Sequence, residues 1–325
     1  MERQVTPDTF IELLTDGEFE LIYTETHASF KQIVSLEKFS ELGRGLNEQV
    51  NSYQFFQSNR SLRGITQFVW LDDRKEMAVS VSFDDKGQIA SLYVKRYSNL
   101  EDLEENKTKN VYQMPINSEW YVFWGGTNEF INHHYELENQ RYAFDLVKVR
   151  NRSSFRNKGL QNKEYYAFDQ DVVAPLDGKV VQIHNGKKDN IPGVFKGKDL
   201  LGNYMVIEHA NQEYSLIAHI KRDSFVVREG DAVAQGQNLA TCGNSGNSSE
   251  PHIHFQVMTS AQFKFTRSLR VQFEFEEPQK GDFVSHNQKV IRDEWEERVD
   301  QVESTSSVLD LFLVIRKAVA QLLSS

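Results

Sequence analysis

The sequence predicts a small α+β domain, then a mainly antiparallel β domain, then a C-terminal helix. Three observations carry that prediction. Apolar residues recur at helical spacing through residues 6–52, change to strand-like alternation from about Phe55, and return to one helical face only beyond Val290. The boundaries that follow are 1–98 for the α+β domain, 99–112 for a linker, 113–285 for the β domain and 286–325 for the helical extension.

Each element has a local reason. Thr6 is placed to cap a helix with Pro7 in its first turn, and Phe10, Ile11, Leu13 and Leu14 follow at helical spacing. A second helical pattern runs through Phe30, Ile33, Val34, Phe39, Leu42 and Leu46. Ile65–Leu71, Met77–Phe83 and Ile89–Val94 alternate as strands, the last two joined by the turn Asp84-Asp85-Lys86-Gly87. Helices then cover one face of a meander, and the domain reads as an interaction or spacer module. The charged, Asn-containing stretch 98–110 reads as linker.

Beyond it, Trp120–Trp124, Tyr142–Val147, Asp171–Val181, Asn203–His209, Tyr214–His219, Val226–Ala240 and His252–Val257 supply short strands broken by Gly-containing turns, which is the pattern of an antiparallel sheet or sandwich. Trp120–Trp124, ending in Gly125-Gly126, is either sheet core or a surface on which substrate stacks. Residues 151–164 read as a loop at the rim of a site, and 186–202, with its lysines and glycines, as a mobile loop. Phe263, Phe265, Leu269, Val271, Phe273 and Phe275 alternate and extend the sheet. Leu309, Phe312, Leu313, Ile315, Val319, Leu322 and Leu323 share a helical face expected to dock as core.

Composition excludes several classes of function. At 39% hydrophobic and 26% charged residues, the chain has the make-up of a soluble globular protein. A formal net charge of −10 argues against nucleic acid, which calls for a basic footprint, and offers anionic lipid nothing to attract it. No run approaches the ~18 apolar residues of a membrane span, and residues 1–7 lack the apolar core of a signal peptide. The expected location is therefore cytoplasmic as written, or the cell wall or exterior if a leader precedes the chain. Cys242 is the single cysteine, so there is no internal disulfide and no thiolate-rich zinc site. A metal here is held by histidine and carboxylate.

The stretch that offers both begins at Gly243. A turn of small residues delivers Pro251 and then His252-Ile253-His254-Phe255-Gln256-Val257, whose alternation sends both imidazoles to one face. They are either two polar residues on a solvated strand face or two neighbours able to share a metal. His219, at the end of Tyr214–His219, is a third imidazole that can join them. Asp145 alternates within Tyr142–Val147 on a face otherwise carrying Ala143 and Val147. A buried carboxylate needs a partner, and a metal is one. His27, His184, His209 and His286 are expected to be surface residues, and Cys242 a buried small residue.

Six blocks in order, Asp145, Ala174–Val180, Gly202–His209, Ala218-His219, Glu229–Gly236 and Gly243–Phe255, resemble the lysostaphin/LytM-type zinc metallo-endopeptidases, which cut peptide bonds in bacterial peptidoglycan. The N-terminal domain resembles cystatin-like modules more weakly. The resemblance implies a LytM-type β-sandwich and one bound Zn2+, with Asp145 and His254 as ligands and His219 and His252 as the catalytic pair acting on water and the developing oxyanion. Peptidoglycan peptide, or another peptide, is the implied substrate.

One position departs from the pattern. The family carries His-x-x-x-Asp, and here the first residue of that motif is Arg141, whose guanidinium has no lone pair for a metal. Either His134, eleven positions before Asp145, folds back as the third ligand, with His133 as its alternative, or the site has lost its metal and the domain only binds cell-wall peptide or regulates another hydrolase. The first is preferred because Asp145, His219, His252 and His254 all remain. Ala174–Val180 and Glu229–Val233 also resemble biotinyl/lipoyl carrier hairpins, but the lysine hairpin those modules need is missing.

Overall fold

A computed structural model of the chain describes residues 3–62, 64–98, 100, 106–194 and 199–290. The helix expected over 309–323 lies outside the described residues. The chain divides into two compact units, one up to residue 101 and one from residue 102, each with its own apolar core.

The first unit opens with four short helices, α1 (Phe10–Thr15), α2 (Phe19–Thr24), α3 (Ala28–Lys31) and α4 (Leu36–Asn47). Thr6 does not cap α1 directly. Its Oγ1 accepts from Thr9 N at 3.3 Å and closes a turn, so the helix begins at Phe10. Ser35 does cap α4, accepting from Lys38 N at 3.2 Å. Strands β1 (Tyr53–Arg60), β2 (Thr66–Asp72), β3 (Met77–Phe83) and β4 (Ile89–Arg96) form an antiparallel meander in that order. Phe10, Leu13, Ile22 and Phe39 bury themselves against Trp70, Val79, Val81, Phe83 and Ile89, so the helices cover one sheet face as the sequence predicts. His27 is half-buried, its Nε2 3.0 Å from Asp84 Oδ2.

Among its described residues the second unit has the strands β5 (Lys107–Tyr112), β6 (Trp120–Trp124), β7 (Phe144–Val147), β8 (Asp171–Val173), β9 (Gly178–His184), β10 (Tyr204–Glu208), β11 (Tyr214–Ala218), β12 (Ala232–Val233), β13 (Asn238–Thr241), β14 (Ile253–Met258), β15 (Ser268–Phe273), β16 (Phe283–Val284) and β17 (Lys289–Val290). The main sheet runs β12-β9-β10-β11-β14-β7-β6-β16-β17, with β15 joining β14 to β5, and β8 pairs with β13 separately. Every pairing is antiparallel except β15 with β5.

Within the stretch expected to be a linker, Lys107–Tyr112 is thus a strand that buries Thr108 and Tyr112. Its anchor is the buried carboxylate of Glu213, which accepts from the backbone N–H of Lys109, from Tyr112 Oη at 2.9 Å and from Asn110 Nδ2 at 2.8 Å. Farther on, sheet extension begins only at Ser268. Phe263–Phe265 is a 3-10 turn, and Phe265 is 83% exposed.

Alternation along the central strands sorts side chains between two faces. Phe144 and Leu146, Ile217, and Ile253, Phe255 and Val257 enter the main core with Val172, Ala174 and Leu239. Burying each such side chain contributes about 1.5–3 kcal/mol. The alternate positions of the same strands, Asp145, Ala218 and His254, face the other way. Among the described residues no helix is long and apolar enough to cross a membrane.

Candidate metal centre

Pairing at the middle of the sheet brings two distant residues together. His254 on β14 lies opposite Asp145 on β7 and, on its other side, opposite Ala218 on β11. His219 follows Ala218 directly, in a left-handed conformation with φ of 63° that turns the chain off the strand. His252 stands immediately before β14. The fifth residue arrives on a loop, where His134 Nε2 lies 3.1 Å from Asp145 Oδ2. All five sequence-predicted site residues therefore converge, with ring centroids 4.8 Å apart for His134 and His254, 4.5 Å for His219 and His252, and 5.9 Å for His219 and His254.

The loop of His134 is pinned by Asn132, which is fully buried. Asn132 Oδ1 accepts from His134 N at 3.1 Å, and its Nδ2 donates to the carbonyls of Gly126, Arg141 and Ala143 at 3.0–3.2 Å. Arg141 turns away from the carboxylate. Its Nε donates to Tyr135 O at 3.1 Å, and its guanidinium lies 5.8 Å from the Tyr135 ring centroid. The residue at the usual ligand position thus braces the loop that carries an imidazole.

Tautomers follow from partners that can only accept. Gln256 Nε2 donates to Asn139 O at 2.8 Å, so Gln256 Oε1 faces His254 Nε2 at 2.9 Å and that nitrogen carries the proton. The lone pair of His254 is then on Nδ1, 2.9 Å from the carboxylate oxygen Asp145 Oδ1. Two acceptors at that distance require a cation between them, either a second proton on the ring or a metal ion. On the other side Asp145 Oδ2 meets His134 Nε2. The donor set of two imidazoles and a carboxylate fits Zn2+, whose three-ligand sites use these groups.

The titration directions agree with that chemistry. Burial pushes His134 down in spite of Asp145 beside it, so its lone-pair form is favoured. Burial alone would raise Asp145, but His134, with His254 and His252, holds the carboxyl well below its ordinary range. Burial, followed by the neighbouring His252 and His254, pushes His219 well down.

His219 and His252 are oriented by backbone. Nδ1 of His219 faces Ser245 O at 2.8 Å, and Nδ1 of His252 faces Glu250 O at 2.8 Å. Each Nδ1 is therefore the donor, leaving Nε2 of each ring as the atom able to take a proton. Nε2 of His252 lies 3.9 Å from Asp145 Oδ1. The carbonyl of Ser245 is held by close backbone contact: Gly202, with φ of 63°, and Gly246, with φ of 82°, lie so close that a Cβ on Gly202 would meet Ser245 C at 2.4 Å and one on Gly246 would meet Gly202 N at 2.3 Å.

Around these residues, Ser154 Oγ donates to Glu250 Oε2 at 3.0 Å, which sets part of the 151–164 loop at the rim. Within 186–194 the chain is tied at Asn190, which is buried and donates to Gly246 O and Ser248 O at 2.6 and 2.9 Å. Trp124 lies edge-on to His133 with centroids 5.0 Å apart, while Trp120 is core. His184 and His286 are exposed, but His209 is not the surface residue expected. It is 5% exposed, with Nδ1 2.9 Å from Asp177 O and Nε2 2.7 Å from Ser215 Oγ. Cys242 is buried and free.

Residues 160–264 match Peptidase family M23. Over that stretch the chain is similar to the M23 peptidases. It is 32% identical over 88 residues to the peptidoglycan DD-endopeptidase ShyB of Vibrio cholerae, a match covering 27% of this chain and 19% of that protein. It is 34% identical over 88 residues to the murein hydrolase activator NlpD of Salmonella dublin, covering 27% and 20%. Among solved structures, the catalytic domain of the antimicrobial peptidase lysostaphin from Staphylococcus simulans aligns with 47% of this chain and 88% of its own, at 21% identity and a TM-score of 0.28. The chain spans about a fifth of the length of the curated relatives it matches. His134 and Asp145 precede the matched stretch.

Gln256 and Asn132 were missed in the sequence. Gln256 continues the alternation of His252 and His254 by one more step and was open to detection there. Asn132 has no such signal, because its role consists of three carbonyls supplied by folding.

Proposed function

We propose that the chain is a zinc-dependent endopeptidase that hydrolyses peptide bonds in the peptide part of bacterial peptidoglycan. The observation that carries this is the slot between His254 Nδ1 and the Asp145 carboxylate, oriented by Gln256 and flanked by His134. His134, Asp145 and His254 would hold the metal. Zinc bound there supplies polarisation of the scissile carbonyl and a water acidified toward neutrality. His219 and His252 do the proton work: with each Nδ1–H fixed on a carbonyl, Nε2 accepts a proton from water and returns it to the departing amine. His219 is buried and the His252 side chain 13% exposed, which limits the access of bulk water to that exchange. Peptidoglycan as substrate is favoured by the ShyB match and by the M23 match.

A second reading has its own support. Arg141 replaces a family ligand, and one relative is named a murein hydrolase activator. On that reading the domain binds wall peptide without cutting. The two part on one experiment: metal analysis of the purified chain, followed by digestion of purified peptidoglycan with and without added zinc. About one zinc per chain and zinc-dependent release of peptides is the expected result. Metal-free protein after reconstitution, with no peptide released, sinks the enzyme.

A further inference from the structure

We propose that the basic hairpin from Arg150 to Lys163 reads a free carboxylate on the peptide substrate, with Arg156 and Lys158 near its tip as the residues that hold it. The proposal rests on the peptidase reading above and names a chemical class of peptide for that site. From Arg150 to Lys163 the chain carries five cationic side chains, Arg150, Arg152, Arg156, Lys158 and Lys163, and no acidic one, within a sequence whose formal net charge is −10. One sign of charge gathered at the rim of a site draws in a ligand of the other.

The hairpin has a frame of its own, which sets it apart from a solvated run of charge. Phe155 pairs with Tyr165 across it, with ring centroids 5.3 Å apart, and Tyr165 Oη donates to Gly159 O at 3.1 Å. At Gly159, with φ of 63°, a Cβ would meet the Phe155 ring at 2.8 Å, so the turn calls for glycine. Glu164, the acid that follows, is turned onto the hairpin's own backbone, accepting from Leu160 N at 2.7 Å and Gln161 N at 3.3 Å. Arg150, Arg156, Lys158 and Lys163 are exposed, and among the described residues none of Arg150, Arg156 and Lys158 is ion-paired with a carboxylate.

Placement ties the hairpin to both imidazoles that move protons. At its base Ser154 Oγ donates to Glu250 Oε2 at 3.0 Å, and Glu250 O is the acceptor that orients His252. Near its tip Asn162 Nδ2 donates to Asn190 O at 2.8 Å and Asn162 Oδ1 meets the Asn244 amide at 2.9 Å; the next residue, Ser245, supplies the carbonyl that orients His219. The hairpin therefore lines the wall that carries His219 and His252. A peptide with its scissile carbonyl at that pair passes the cationic tip, where guanidinium and ammonium take a carboxylate by charge-assisted hydrogen bonds. One N–H of Arg156 is placed on Lys163 O at 3.3 Å, which orients a guanidinium with further donors to offer.

The test uses the full chain loaded with zinc, and cross-linked peptides released from purified peptidoglycan, with their carboxyl groups either free or converted to amides. KM should be about fivefold lower for the free acids than for the amides, a gap that shrinks at high salt. Arg156→Gln/Lys158→Gln should raise KM for the free acids to that of the amides with kcat held, the pattern of a contact made equally in ground and transition states. Arg156→Lys, which keeps the charge without the planar fork, should preserve the gap. Lys75→Gln/Lys86→Gln, which takes two exposed charges from the first unit, should preserve it too. Equal KM for the two peptide forms in the wild type, a gap that the hairpin variant leaves intact, or one that the first-unit variant also closes, overturns the proposal and leaves the peptidase standing. A wild type that cleaves neither form overturns both.

Discussion

The two walls of the site are fastened by different means. On one wall His219 and His252 hang from backbone carbonyls, Ser245 O and Glu250 O, the first of them set by the close packing of Gly202 against Gly246. On the other wall His134, Asp145 and His254 are held by side chains, through Asn132 and Gln256. The first wall lies inside the stretch that matches the peptidase family, and the second begins outside it. Backbone fastening depends on chain path, so it fixes residue spacing. Side-chain fastening lets a ligand arrive from a different position in the sequence, as His134 does, provided another residue holds its loop.

The contrast can be broken most directly at Asp145, whose carboxylate faces His134, His254 and His252. Asp145→Ala should lower bound metal from about one zinc per chain to none, measured by metal analysis after dialysis. His134→Ala should follow, losing most zinc under the same conditions; normal binding in this variant would show that the loop does not supply the third ligand. Gln256→Leu removes the acceptor that fixes the His254 tautomer, and a loss of outer-shell support of this kind costs about 10–100-fold in metal affinity. Chelator competition reads it.

A smaller effect is expected at Asn132. Asn132→Ala strands buried carbonyls, at about 1–3 kcal/mol for each group left without a donor, and should lower both the unfolding midpoint and zinc affinity. A drop in stability with affinity untouched would mean that the loop holds His134 without it. Arg141→Ala is the smallest. It removes a brace from the loop and no donor from the site, so zinc stoichiometry should be unchanged.

Much of this arrangement was legible in the chain. Alternation of Phe144 and Leu146 with Asp145, and of Ile253 and Phe255 with His254, is a period-2 signal that local sequence carries in full, and it gave the correct face for each residue. What alternation cannot carry is register between strands far apart. That His254 lies opposite Asp145 depends on the whole sheet order. Lys107–Tyr112 was legible only as polar linker because its burial is decided by Glu213, more than a hundred positions away. His209 misled because its burial depends on partners brought in by folding, Asp177 O in the turn before β9 and Ser215 Oγ on β11. Phe265 failed in the opposite sense, since alternation continued through a turn that the chain had already taken out of the sheet.

Asp145 and His254 are 109 positions apart in the chain and 2.9 Å apart in the fold. Any ion seated between them is a clasp across that long loop, and it can form only once the central strands have paired. Occupancy is then paid back as cohesion of the sheet: at a free-ion concentration a hundred times the dissociation constant, about 2.7 kcal/mol is added to folding. A chelator would act on this protein as a denaturant acts on others, by withdrawing part of what keeps its centre assembled.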